Sequence, residues 1–273
     1  MIKPVIASLC ACVFLVLAPL RPARAQTALP PALDAALSDA EARNAKNAGT
    51  KFYFRRKIVR FGKLFLEKSY NPSEPADRQW VILYPDYATD PEGYNKQARR
   101  QSRKNSKHAK QAKYDADRDI MTPNLRPRLA KGVKLVREDD KELIYSFDLA
   151  DSYYVSGEGK GADIAAYLKG EIAVGKTDGM LHWVHYVAQK PFHPIVIAKI
   201  RQFDIYQQFA PAWYGGPLVK VLEKNKVGGT AIIRKIRFDD VVTNFDFRPI
   251  ARTWEVKSNK QDGVHKTEDA AKP

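Results

Sequence analysis

The residues with chemical potential in this sequence are few and scattered. His182 and His185 stand three apart, a spacing that on a helix would turn both imidazoles to one face and offer them to a metal ion. They fall instead in residues 181–189, a run rich in aromatic and β-branched side chains that reads as a strand, where an odd separation sends them to opposite faces. With no cysteine and no third ligand nearby in sequence, no metal site is expected. His193, between Phe192 and Pro194, reads as a loop residue. Ser152, Ser156 and the run Gly157-Glu158-Gly159-Lys160-Gly161 fit neither a phosphate-binding loop nor a nucleophile elbow, and they read as a flexible loop. Asp139-Asp140 and Asp239-Asp240 sit beside turns or strand ends, where solvated charge is the ordinary state, so they do not form a glycosidase pair. Nothing converges as nucleophile, base and metal would, and the expectation is a protein that is not an enzyme and has no cofactor.

One charged segment does stand out. Between Glu92 and Asp115 there is no acid, whereas Lys96, Arg99, Arg100, Arg103, Lys104, Lys107, Lys110 and Lys113 accumulate in a context of alanine and glutamine that favours a helix. The segment has almost no apolar stripe, so it is expected to project into solvent as a basic helical insertion over 91–118. Two roles stand for it. It is a solvated insertion, or it is an electrostatic dock for an anionic membrane surface or an acidic envelope protein. Nucleic acid is not expected as a partner, because aromatic interleaving is sparse.

The elements that must position these residues are mostly strands. Pro30-Pro31 opens a short amphipathic helix in which Leu33, Leu37 and Ala40 share a face. Residues 51–60 and 63–70 then form a hairpin around Gly62, and the proline-punctuated loop 71–75 leads to 79–84, a strand apolar on both faces and therefore expected at the centre of a sheet. After the basic insertion, strands are expected over 133–137, 142–149, 167–174, 181–189, 195–209, 217–226 and 230–247. Asp178-Gly179 and Gly228-Gly229 supply the positive φ angles of tight hairpins, so neighbours should pair antiparallel. The fold class expected is α+β: a large curved antiparallel sheet, an open half-barrel, with helices on the concave face.

Two strands carry cations within apolar rows. Along 195–205 one face reads Ile195, Ile197, Lys199, Arg201, Phe203, Ile205, and along 232–238 one face reads Ile232, Arg234, Ile236, Phe238. Either these long side chains reach solvent at the sheet rim, or they are polar handles in a wet trough. Trp80 and Trp183 read as core anchors, while Trp213-Tyr214-Gly215-Gly216 reads as an aromatic loop suited to a membrane interface or a trough mouth.

Length and composition bound the rest. The chain has 273 residues, 44% hydrophobic and 28% charged, which suits one large globular domain and excludes a disordered or collagen-like chain. Its start is basic at Lys3, apolar from Val5 to Leu20, and small at Ala23 and Ala25, the pattern of a secretory leader cleaved after Ala25. The apolar run is too short for a membrane anchor. Cleavage takes Lys3, Arg21 and Arg24 and no acid, lowering the formal charge from +15 to +12, and it removes both cysteines, Cys10 and Cys12. The mature protein is thus expected in the periplasm, as a single domain over 26–250 without disulfides, followed by a disordered polar tail over 251–273.

A resemblance sharpens this. Tyr70-Asn71-Pro72-Ser73-Glu74-Pro75 followed by Gln79-Trp80-Val81-Ile82-Leu83, then Gly175-Lys176-Thr177-Asp178-Gly179 before a strand, and Lys190-Pro191-Phe192 before the strand ending Phe209-Ala210-Pro211, resemble the Lol-type (LolA/LolB-like) lipoprotein carriers of the bacterial periplasm and exported proteobacterial proteins sharing that plan. The resemblance implies a half-barrel whose apolar face receives lipid or lipoprotein acyl chains. The basic insertion departs from the carriers proper. For such a trough the expected lining is Trp80, Ile82, Trp183, Ile197, Phe203, Ile205, Ile232 and Ile236, with Trp213 and Tyr214 at its mouth. A structural or adaptor protein of the envelope, with a filled core and no ligand, is the alternative.

Overall fold

The computed structural model of the protein describes residues 28–110, 120–129, 131–149, 163–232 and 234–250, without the side chains of 104–110 and 131. The expected leader, the tail after 250, Lys113 and the glycine run 157–161 lie outside these residues, as do the side chains of Lys104, Lys107 and Lys110. The described chain forms two α-helices and an unclosed sheet of 11 strands in which every pair is antiparallel. In chain order the elements are α1 (Pro31–Lys46), β1 (Phe52–Arg60), β2 (Lys63–Tyr70), β3 (Trp80–Tyr84), α2 (Pro91–Lys110), β4 (Lys131–Glu138), β5 (Glu142–Asp148), β6 (Leu168–Gly175), β7 (Leu181–Ala188), β8 (Phe192–Ile195), β9 (Ala198–Pro211), β10 (Leu218–Ala231) and β11 (Arg234–Pro249). Across the sheet the order is β3-β2-β1-β11-β10-β9-β7-β6-β5-β4, with β8 paired beside β9. The β1–β3 meander is therefore joined to the other strands through β11.

Pro31 at the first helical position and Asp34 in the first turn suit the start of α1, and Arg43 and Lys46 suit its end. Its face Leu33, Ala36, Leu37 and Ala40 is buried and packs over β6, β7 and β10 into a cluster with Phe147, Ile172, Val184, Tyr186, Phe203 and Phe209. Polar bonds hold the helix there. Arg126 spans Asp34, Ser38 and Glu41, one per turn of α1, and Asn44 donates to the Thr122 carbonyl at 3.2 Å while accepting from the Leu218 amide at 3.0 Å. A second cluster under β1–β3 is aromatic: Phe52, Phe54 and Tyr70 with Trp80, Trp213 and Phe247, closed by Ile120 and Val219.

Four local expectations are corrected by the pairing. β3, expected at the centre, is an edge strand, and Val81, Leu83 and Tyr84 are exposed on it. Trp80 packs into the aromatic cluster and Ile82 faces the helix beside the strand, while the rest of its apolar residues have no layer over them. Gly228 and Gly229 are not a turn but lie within β10, paired on both sides; the turn falls at Ile232, with φ 54°. The long strand over 195–209 is broken after Ile195, leaving Val196 and Ile197 in a turn. Finally, β9 carries a bulge: Gly228 pairs with Gln202 and Gly229 with Ile200, so Arg201 has no opposite residue. The bulge shifts the inward alternation from Ile200 to Phe203, both buried, and turns Lys199 and Arg201 to water. The apparent row of cations among apolar neighbours is produced by counting through the bulge as if it were a regular strand. Asp178-Gly179 does form the expected turn, with Gly179 at φ 66°.

Candidate functional site

Helix α2 begins at a built cap. Asp90 Oδ1 accepts the Gly93 amide at 2.9 Å, and a Cβ on Gly93 would stand 2.0 Å from that carboxylate, so any other residue there would make the Asp90 side chain shift. The helix then runs beside β3 with two distinct faces. Lys96, Arg99, Arg100 and Arg103, at i, i+3, i+4 and i+7, are exposed and surround a shallow cleft of about 440 Å³ with Glu92 and Asn95. Tyr94, Gln97, Ala98 and Gln101, offset by one turn position, look toward the sheet. Gln97 is buried, and Tyr94 meets Tyr87 edge-on at 5.5 Å.

Between that inward face and the β2–β3 edge lies a cleft of about 930 Å³. Trp80, Val81, Ile82, Tyr94 and Ala98 give it apolar wall, while Ser69, Asn71, Asp77, Arg78 and Gln101 bring polar groups. Trp80 is fixed by cations. The Lys68 ammonium, on a residue only 7% exposed, sits 3.6 Å from the ring centroid and donates to Gln101 Oε1 at 3.1 Å, tying β2 to α2. The Arg56 guanidinium lies 5.5 Å from the same ring and donates to Asn244 Oδ1 at 2.7 Å; Asn244 in turn donates to the Lys220 carbonyl. The indole is thereby held in place at the inner end of the cleft.

A second, smaller cleft of about 450 Å³ lies against β7 and β9. Here Glu142 accepts His182 Nδ1 and Trp183 Nε1, each at 2.9 Å, and His182 Nε2 reaches Asp178 at 3.1 Å. His185 pairs separately with Asp204 at 2.9 Å, so the two histidines serve different carboxylates. Among the described residues no group of three or more His, Cys, Asp or Glu is arranged to hold a metal ion. Burial opposes charge on His182, but its bonds to Glu142 and Asp178 outweigh that and raise its pKa above the ordinary histidine value. A raised folded pKa means that the stabilising charge is fully present below the unfolded value of about 6.5 and is lost as pH rises through the folded value. Urea unfolding of the wild type is therefore expected to show stability falling with rising pH across that window. The fall should flatten in His182→Gln, and an equally steep fall in the variant would refute the assignment.

The residues expected in one trough are dispersed. Trp80 and Ile82 line the large cleft, and Trp183 the smaller one. Phe203 is buried in the cluster under α1, against which Ile205 and Ile236 are packed. Trp213 joins the aromatic cluster edge-on to Phe52 at 5.5 Å, while Tyr214 beside it is fully exposed. Ile197 and Ile232 stand at turn tips. Sequence reading missed Lys68, Arg56, Gln97 and Gln101. Tyr94, Gln97, Ala98 and Gln101 do recur at helical spacing, but a stripe carried by amides does not register as an apolar one. No protein-family model, curated protein or solved structure matches this chain.

Proposed function

We propose that the protein is a non-catalytic periplasmic binding or carrier protein that holds a lipid or another apolar ligand, with the outward cations of α2 docking to an anionic membrane or an acidic envelope partner. The observation that carries the reading is the cleft at the β3 edge. Its volume of about 930 Å³ lies within the roughly 300–1,000 Å³ common for ligand sites. Its apolar wall meets polar groups at the rim, as an amphiphile requires, and the basic row of α2 lies on the other face of the same helix. The laying of α1 across β6, β7 and β10 supports a half-barrel of Lol type with a helix on its concave face. The residues packed beneath α1 direct the ligand to the β3 edge and away from the centre of the sheet. Export rests on the leader pattern of residues 1–25, and among the described residues no helix is long and apolar enough to cross a membrane.

The packed interior also favours a second reading, an envelope adaptor whose sheet carries no cargo. Mass spectrometry of organic extracts from full-length protein purified without detergent separates the two. Co-eluting lipid is expected with the wild type, and about tenfold less with Ala98→Trp, whose ring would occupy the apolar wall. Wild-type protein free of lipid supports the adaptor instead.

A further inference from the structure

At one end of the sheet, four aliphatic side chains stand in water. Ile195, Val196 and Ile197 at the β8–β9 turn are 50, 98 and 57% exposed, and Ile232 at the β10–β11 turn is 72% exposed. The two turns form one unit, because the Ile232 amide donates to the Ile197 carbonyl at 2.7 Å. Ile232 is held at φ 54°, the left-handed region that glycine enters freely and a β-branched residue enters at a cost. Neither burial nor backbone ease accounts for isoleucine at that position.

Behind this apex lies a collar of positive charge. Lys199 and Lys235 flank Thr230 across β9, β10 and β11, Arg201 stands at the bulge, and Arg234 follows the turn. All four are exposed, and none has an ion-pair partner among the described residues. Arg237 lies over the Phe61 ring at 4.9 Å, carrying the charge to the neighbouring β1–β2 turn. Lys199 and Arg201 stand two and four residues behind Ile197, hence about 7 and 13 Å at roughly 3.3 Å per residue. An amphipathic element seated at the boundary of headgroups and acyl chains buries its apolar part by about 5–10 Å. An apolar apex with Lys199 set back by that distance and Arg201 just beyond it matches the layering of an anionic bilayer, in which phosphate overlies hydrocarbon.

We propose that this tip is a membrane-docking element that inserts Val196, Ile197 and Ile232 into the surface of an anionic phospholipid bilayer while its collar of cations engages the lipid phosphates. The surface is separate from α2 and needs no ligand in the β3 cleft. The test is co-sedimentation of the full chain with vesicles of phosphatidylcholine alone or mixed with phosphatidylglycerol, in a Lys96→Gln, Arg99→Gln, Arg100→Gln, Arg103→Gln background that removes the four outward cations around the shallow cleft of α2. Binding to the mixed vesicles is expected to persist in that background. It should fall about tenfold or more on adding Val196→Ser, Ile197→Ser and Ile232→Gly, the last of which suits the φ angle and keeps the fold. A similar fall is expected for Lys199→Gln, Arg201→Gln and Lys235→Gln. Tryptophan placed at the apex by Val196→Trp should shift its emission to the blue on the mixed vesicles. Absence of binding in the background protein, unchanged binding after the apex substitutions, or an unshifted Val196→Trp overturns the proposal. Light scattering showing that the apex substitutions abolish a dimer without changing vesicle binding assigns the tip to self-association instead.

Discussion

Phe54→Ala is expected to lower the unfolding free energy by about 3–5 kcal/mol, the range for removing a large ring from a packed core. Phe54 is fully buried and touches four aromatic neighbours: Trp80 edge-on at 5.5 Å, Tyr70 at 5.3 Å, Phe247 at 6.1 Å and Phe52 at 6.2 Å. These come from β1, β2, β3 and β11, so the ring sits at the seam where the first three strands meet the rest of the sheet. No neighbour can collapse into the space without losing its own contacts, which places the cost toward the upper part of the range. Arg56 also lies 5.5 Å from the Phe54 ring, so the same substitution loosens the support of Trp80 and the wall of the cleft. Urea unfolding followed by tryptophan emission measures the loss. Leu135→Ala, at a residue 50% exposed on β4, should cost under about 1 kcal/mol. Equal losses at the two positions would mean that the aromatic cluster is not a packed core.

Gly229→Val should be comparably damaging, by about 3 kcal/mol or more. A Cβ there would stand 2.3 Å from the Lys199 carbonyl oxygen and 3.1 Å from the Ile200 Cα, both backbone atoms. Backbone cannot yield as a side chain does; relief requires opening the β9–β10 ladder at the bulge. Gly228 next to it meets only the Gln202 Cβ, at 3.8 Å, so Gly228→Ala should be tolerated. The pair is checked by thermal unfolding of both variants, and a Gly229→Val protein as stable as Gly228→Ala would show that the bulge does not have this close approach.

The extent to which the fold is legible in the sequence follows from where the physics is local. The α1 stripe, the Gly62 and Gly179 turns and most strand runs depend on neighbouring residues, and the structure places them where the patterns do. The position of β3 depends on which strands pair over long distances, and its apolar character is equally compatible with the middle of a sheet and with an edge covered by a helix. The Gly228-Gly229 pair has the composition of a tight turn, yet its role is a close backbone approach that only the partner strand reveals. The bulge at Arg201 has no composition of its own, so a regular count along β9 carries Ile195, Ile197 and Lys199 onto the inward face of Phe203 and Ile205. Of the candidate site, Trp80, Ile82 and the basic face of α2 were visible as residue types; that Lys68 and Gln101 bind the helix to the sheet was not, because such polar groups become cohesive only through partners in another element.

The pairing of β1 with β11 sets a condition on biogenesis. Arg56 and Asn244, hydrogen-bonded across that rung, are 188 residues apart. A polypeptide emerging from the ribosome has no β11 to receive β1 until the intervening residues have been made, and ladders between such distant segments close slowly. Until β11 is made, the β1–β3 meander has no strand through which to join the rest of the sheet, so these two parts of the ladder assemble at different times.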